Sequence, residues 1–186
     1  DNLYYPDKIY RIDIKSYRNP MVLRFLLSLI LFIFIINIFL YGLGHWYKEQ
    51  GALAAKDNRL ENSEELLNLS SRLIPDSDAP KYVLADLYRQ ALAIKGVSAE
   101  EKKFFYLHSL DLLLQAQKLN PVRPEIYLLL GKLYNENKAY DVDWHKKAFG
   151  NFKQALHYNP RFFPARTQLA LLLQKTNPLE ARKELE

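Results

Sequence analysis

GHWYKEQGALAAKDNRLENSEELLNLSSRLIPDS, residues 44–77, decides how this chain folds. Ser63 and Ser70 are small, and they stand where two helices have to approach closely; Leu67 is the large residue between them on the same face. Pro75 stops the second helical stretch, because proline lacks the amide a helix needs and clashes with the preceding turn. The phrase around it, Arg72-Leu73-Ile74-Pro75, returns as Lys118-Leu119-Asn120-Pro121 and again as His157-Tyr158-Asn159-Pro160. Reading back from each proline gives Ser109 and Ala116 around Leu113, then Ala148 and Ala155 around Phe152. Recurrence of this kind predicts stacked helical units that bury their apolar faces against one another.

The pattern resembles the tetratricopeptide repeat, a 34-residue helix pair with small residues at its eighth, twentieth and twenty-seventh positions. Residues 44–77 fit that unit without a gap, with Tyr47, Gly51 and Ala54 on helix A and Ser63, Leu67 and Ser70 on helix B. A second unit, 78–123, places Leu84, Ala85 and Tyr88 on helix A and carries a long insertion before Ser109. A third, 124–162, carries Tyr127, Leu130, Gly131 and Tyr134, with a shorter insertion around 140–144. The fourth, 163–186, supplies Leu169, Ala170, Leu173 and Ala181. Each unit begins where the last one ends, and the insertions fall between helix A and helix B, where a loop lengthens without disturbing the stack. In the longer insertion Ser98 has Glu101 three residues on, a capping box that predicts a lengthened helix from about Ala99. The fold expected is all-α: one transmembrane helix, then a right-handed solenoid of about three and a half helix pairs over 44–186.

Immediately before the repeats lies FLLSLILFIFIINIFLYGL, residues 25–43, 19 residues without a charge. At 1.5 Å per residue that run nearly matches the hydrocarbon core of a bilayer, where a single span has to be helical. A transmembrane helix is therefore expected over 21–43, after a polar segment at 1–20. Arg24 can snorkel at one end, and Tyr41, Trp46 and Tyr47 suit the interfacial belt at the other. A cleavable signal peptide has a shorter apolar region, roughly 7–15 residues, closed by small residues. Apolar side chains on every face argue against a buried core helix. Lys8, Arg11, Lys15, Arg18 and Arg24 precede the span, against Lys48, Lys56 and Arg59 after it. The positive-inside rule then puts the N-terminus in the cytoplasm and the repeats outside, which in a two-membrane bacterium means an inner-membrane protein facing the periplasm. Asn37, near mid-span, is either a hydrogen-bonding group at a helix interface or a tolerated polar residue. The helix is expected to run on across Gly42 and Gly44 into the first repeat. Within 1–20, the alternation Ile9–Lys15 suits a strand that adds to a partner's sheet edge, or a segment lying at the membrane surface. The first residue is Asp rather than Met and the fourth unit is truncated, which suggests a piece of a longer protein.

No catalytic constellation is present. His45, His108, His145 and His157 have no partners at metal-ligand spacing, and the chain contains no cysteine. No enzyme activity, metal or cofactor is therefore expected. The net charge of +5 is spread as scattered residues and pairs, without a nucleic-acid motif, so proteins and the bilayer are the expected partners rather than nucleic acid. Asn68-Leu69-Ser70 matches a glycosylation acceptor, but it falls inside a predicted helix.

What the resemblance implies is a concave face, lined by the A helices, that binds other polypeptides. Tyr47, Tyr88, Tyr127 and Tyr134 occupy signature packing positions, whereas Tyr82 is off the signature and is a candidate contact. Trp144, in the polar turn Asp141-Val142-Asp143-Trp144, either contacts a partner or packs over the turn. Lys48 stands where a chaperone-gripping subset of the family places the first cation of a carboxylate clamp. The companion positions here, Ala52, Val83, Glu125 and Leu129, do not supply one. Tyr82, Trp144, Lys48 and Asn37 are thus the partner-binding candidates. The expected role is a membrane-anchored scaffold, a subunit of a motor, secretion, pilus or surface-polymer assembly. An accessory region of a larger membrane enzyme and a holdase beside a translocation channel are the alternatives.

Overall fold

A computed structural model describes residues 20–57, 59–174 and 178–183. The strand expected at Ile9–Lys15, with nearly all of the polar segment 1–20, lies outside the described residues. Helix α1 (Pro20–Lys56) is followed by α2 (Leu60–Leu73), α3 (Ala79–Ala91) and α4 (Ala99–Leu119). Then come α5 (Pro124–Glu136), a short 3-10 turn (Lys138–Tyr140), α6 (Trp144–Tyr158), α7 (Phe163–Leu173) and α8 (Pro178–Lys183). Among the described residues there is no strand, as the all-α expectation requires. The chain divides into two compact units between Leu40 and Tyr41.

In the first unit the described residues belong to α1. Its most apolar 18-residue window has a mean hydropathy of 2.7 and none of it is buried, so α1 is long and apolar enough to cross a membrane. Phe25, Ile30, Phe32, Phe34 and Phe39 are all more than half exposed, on different faces of the helix. The amide of Asn37 donates to the carbonyl of Ile33 at 2.8 Å, so one of its two N–H donors is used within its own helix. No helix break is assigned at Gly42 or Gly44.

In the second unit the recurring small and large residues form the packing seam. Ser63, Leu67, Ser70, Ser109, Leu113, Ala116, Ala148, Phe152 and Ala155 all have 0% exposure. Opposite them stand the small residues of the preceding helix. A Cβ built on Gly51 would lie 2.7 Å from Leu67 Cγ, and one on Gly131 only 2.3 Å from Phe152 Cε1. The backbones approach this closely because interiors pack to crystal-like density, so a large side chain on helix B requires almost nothing on helix A. Buried hydroxyls need acceptors, and the preceding helix supplies them. Ser63 Oγ donates to Gly51 O, Ser70 Oγ to Gly44 O and Ser109 Oγ to Ala85 O, each at 2.8 Å.

The main core joins Ala85 to residues of α4, α5, α6, α7 and α8; a second cluster, Leu67, Leu84, Leu87 and Tyr88, links α2 to α3. Proline sits in the first turn of α3, α5 and α7, where its missing amide costs nothing. The longer insertion reverses direction at Gly96, whose φ of 90° is strained for any residue with a side chain. It ends in the capping box read from the sequence: Ser98 Oγ accepts from Glu101 N (3.2 Å), and Ser98 N donates to the Glu101 carboxylate (2.9 Å). The helix that follows, α4, has 21 residues against 14 in α2 and 15 in α6.

Candidate protein-binding groove

Helices α1 and α3 enclose a hollow of about 310 Å³, lined by Ala52, Ala55 and Lys56 from one and Tyr82, Val83, Asp86, Leu87 and Gln90 from the other. Ala52 and Ala55 are three residues apart on one face of α1, and their short side chains leave the space open. A second hollow of about 290 Å³ adjoins it, sharing Leu87 and Gln90 and adding Leu60, Ala91 and Ile94. Its end wall comes from the insertion between α3 and α4, where Ile94 is 56% exposed. The result is a groove with an apolar floor and a few polar groups on its rim.

The charges on the α3 side are already matched. Asp86 Oδ1 accepts from Arg89 Nε and Oδ2 from Gln90 Nε2, both at 2.9 Å. Arg89 Nη1 also reaches Glu136 at 2.7 Å, which ties α3 to α5. Arg123, at the start of α5, pairs with Asp78 at 2.5 Å, and its guanidinium lies 4.4 Å from the centre of the Tyr82 ring. A cation over a ring is attracted by the ring's negative face, so Arg123 holds Tyr82 in place as the groove wall. Burial raises the Tyr82 hydroxyl above the ordinary tyrosine range; Asp86 and Glu125 add to the effect and Arg123 opposes it. On α1, by contrast, no ion pair involving Lys56 is found among the described residues.

Of the four residues singled out from sequence, Tyr82 alone lines this groove. Lys48 lies on α1 outside the hollow and is paired with Glu49 at 2.9 Å. Trp144 is the first residue of α6, half-buried against the main core, with Lys138 Nζ 4.2 Å from its ring centre. Asn37 is in the other unit. Tyr88, Tyr127 and Tyr134 are core residues, and Tyr127 donates its hydroxyl to Pro121 O at 2.6 Å. Lys56, Asp86, Gln90 and Ile94 escaped the sequence reading. Lys56 had a signal available, since it stands four residues after Ala52 on the face that the small residues open.

The helix order, the small-residue seam and the groove between successive A helices together identify the architecture. The chain has the tetratricopeptide-repeat fold. It superposes on a thermophilic tetratricopeptide-repeat protein of Thermus thermophilus with a TM-score of 0.63 at 20% identity, covering 74% of this chain and 68% of that one. The tetratricopeptide-repeat domain of Arabidopsis OM64 matches at a TM-score of 0.59 and 14% identity, over 73% of this chain and 98% of that domain. MamA matches at 0.59 and 20%, over 76% and 73% of the two chains. A Thermobaculum terrenum O-GlcNAc transferase mutant shares the fold at 0.54 and 15% identity, but 72% of this chain covers only 23% of that enzyme. No protein-family profile matches the chain, and no curated protein resembles it significantly. At these identities the likeness concerns the fold alone.

Proposed function

We propose that this chain is a membrane-anchored scaffold that captures another polypeptide in the groove between α1 and α3. Residues 21–43 form the anchor, and 44–186 form the repeat region, in units of about 44–77, 78–123, 124–162 and 163–186. The observation that carries the reading is the groove itself, open and apolar-floored, with its α3 wall fixed by Arg123, Asp78 and Tyr82. Such a surface suits a helix or extended segment laid along it. The anchor is supported by the absence of any buried face on the apolar part of α1, since a core helix of a soluble domain would have one. The charge balance around the span favours a cytoplasmic N-terminus with the repeats on the far side of an inner membrane, inside a cell-envelope assembly. Chemistry, if the assembly has any, belongs to a partner.

A photo-crosslinking residue at position 82, in cells expressing the whole chain, tests the scaffold. One stoichiometric adduct supports it; a smear of clients converts it to a holdase; no adduct at all removes both. Protease added to spheroplasts should cut the repeats, and protection would reverse the topology. The O-GlcNAc transferase likeness favours a second reading, a repeat region serving a larger enzyme. In that case the adduct at position 82 would be a substrate of that enzyme rather than a fixed partner.

A further inference from the structure

We infer that the occupant of the groove is a peptide segment with two apolar anchor side chains and an Asp or Glu beside the first of them. The inference rests on the groove being the capture site and goes on to assign its chemistry. The two adjoining hollows, of about 310 and 290 Å³, share Leu87 and Gln90, so a single segment crosses both. The first is floored by Ala52 and Ala55; the second is closed by Ile94, which the insertion after α3 contributes and leaves 56% exposed. A side chain that extends an apolar hollow while standing in water has its surface to gain from being covered.

The carboxylate follows from the charges. Two ionised groups line the first hollow, Lys56 and Asp86. Both oxygens of Asp86 are occupied, by Arg89 and by Gln90, so a cation on the incoming segment would have to compete for them. Among the described residues Lys56 has no ion pair to give up. A partner carboxylate therefore gains an interaction there without breaking one, and a partner cation meets repulsion.

The test uses the full chain in lipid nanodiscs and a phage-displayed library of random 16-residue peptides as the probe. The expected selection is enriched in peptides with two large apolar residues and an acidic residue near the first. Lys56→Glu should weaken these peptides about tenfold, and a fresh selection on that variant should replace the acidic residue with Lys or Arg. Ile94→Asp should weaken them by a similar factor without changing the acidic preference. Both positions are exposed, so both variants should keep the parent's circular dichroism and melting profile. Peptides that bind and are lost on Tyr82→Ala, yet show no acidic enrichment and ignore Lys56→Glu, overturn this inference while leaving the scaffold in place. Peptides indifferent to all three substitutions overturn both.

Discussion

Gly131→Ala should destabilise the repeat region even though alanine is the better helix former. The added methyl would lie 2.3 Å from Phe152 Cε1, 2.5 Å from Cδ1 and 2.9 Å from Cζ. Those are three atoms of one rigid ring, and Phe152 has no exposed surface, so the ring has no solvent to swing into. A contact at 2.3 Å against a ring that cannot move puts the overpacking cost in the upper part of its range, about 2–3 kcal/mol, and the helical preference of alanine over glycine returns about 1 kcal/mol. The net expectation is a loss of about 1–2 kcal/mol, or about 2–8 °C in melting temperature for a region of this size. Phe152→Leu alone should cost about 1–2 kcal/mol through lost burial and a partly collapsed cavity. The double variant reproduces the small-large pair of the preceding unit, Ala85 and Leu113, both with 0% exposure. It should therefore be less destabilised than the sum of the two single changes, by about 1 kcal/mol or more. Gly150→Ala is the control: no atom lies within 4 Å of the added methyl, so the exposed middle of α6 should gain about 0.5–1 kcal/mol. Denaturant unfolding followed by circular dichroism reads all four variants. A Gly131→Ala protein as stable as the parent, or a strictly additive double variant, would refute the close-approach account of the seam.

Three further outcomes are expected. Ser98→Ala removes the hydroxyl half of the capping box and should cost about 1 kcal/mol, with faster amide exchange confined to the first turn of α4. Ser109→Ala leaves Ala85 O without its hydroxyl donor and should cost about 0.5–1.5 kcal/mol; unchanged denaturation would show that the hydroxyl adds nothing beyond its size. Tyr106 is buried, its hydroxyl has no hydrogen-bond partner among the described residues, and burial, with smaller contributions from Tyr134 and Asp141, pushes its phenol up to about 12. Tyr106→Phe should thus be neutral or slightly stabilising. The folded parent binds the phenolic proton more tightly than the unfolded chain, so its stability should fall as pH rises from about 10 to about 12. That part of the alkaline loss should disappear in Tyr106→Phe when the two are unfolded side by side across this range.

The repeating seam and the apolar helix before it are legible in residue order alone. Helix pairing depends on residues at fixed short spacings, and Ser63–Leu67–Ser70, Ser109–Leu113–Ala116 and Ala148–Phe152–Ala155 state that spacing three times, each closed by a proline. The capping box at Ser98 and Glu101 was legible for the same reason, being set by neighbours within one turn. The groove was not. Its α3 wall is held by Arg123 reaching Asp78 across 45 residues and by Arg89 reaching Glu136 across 47, and no local pattern marks those pairs. For Trp144 the sequence left contact and packing over the turn both open, and its half-buried place against the main core depends on helices distant in the chain. Lys56 looked like one scattered cation among many. Packing alone sets it facing a hollow with no ion pair among the described residues while Asp86 opposite is already hydrogen-bonded, because which charges are matched depends on which helices end up side by side.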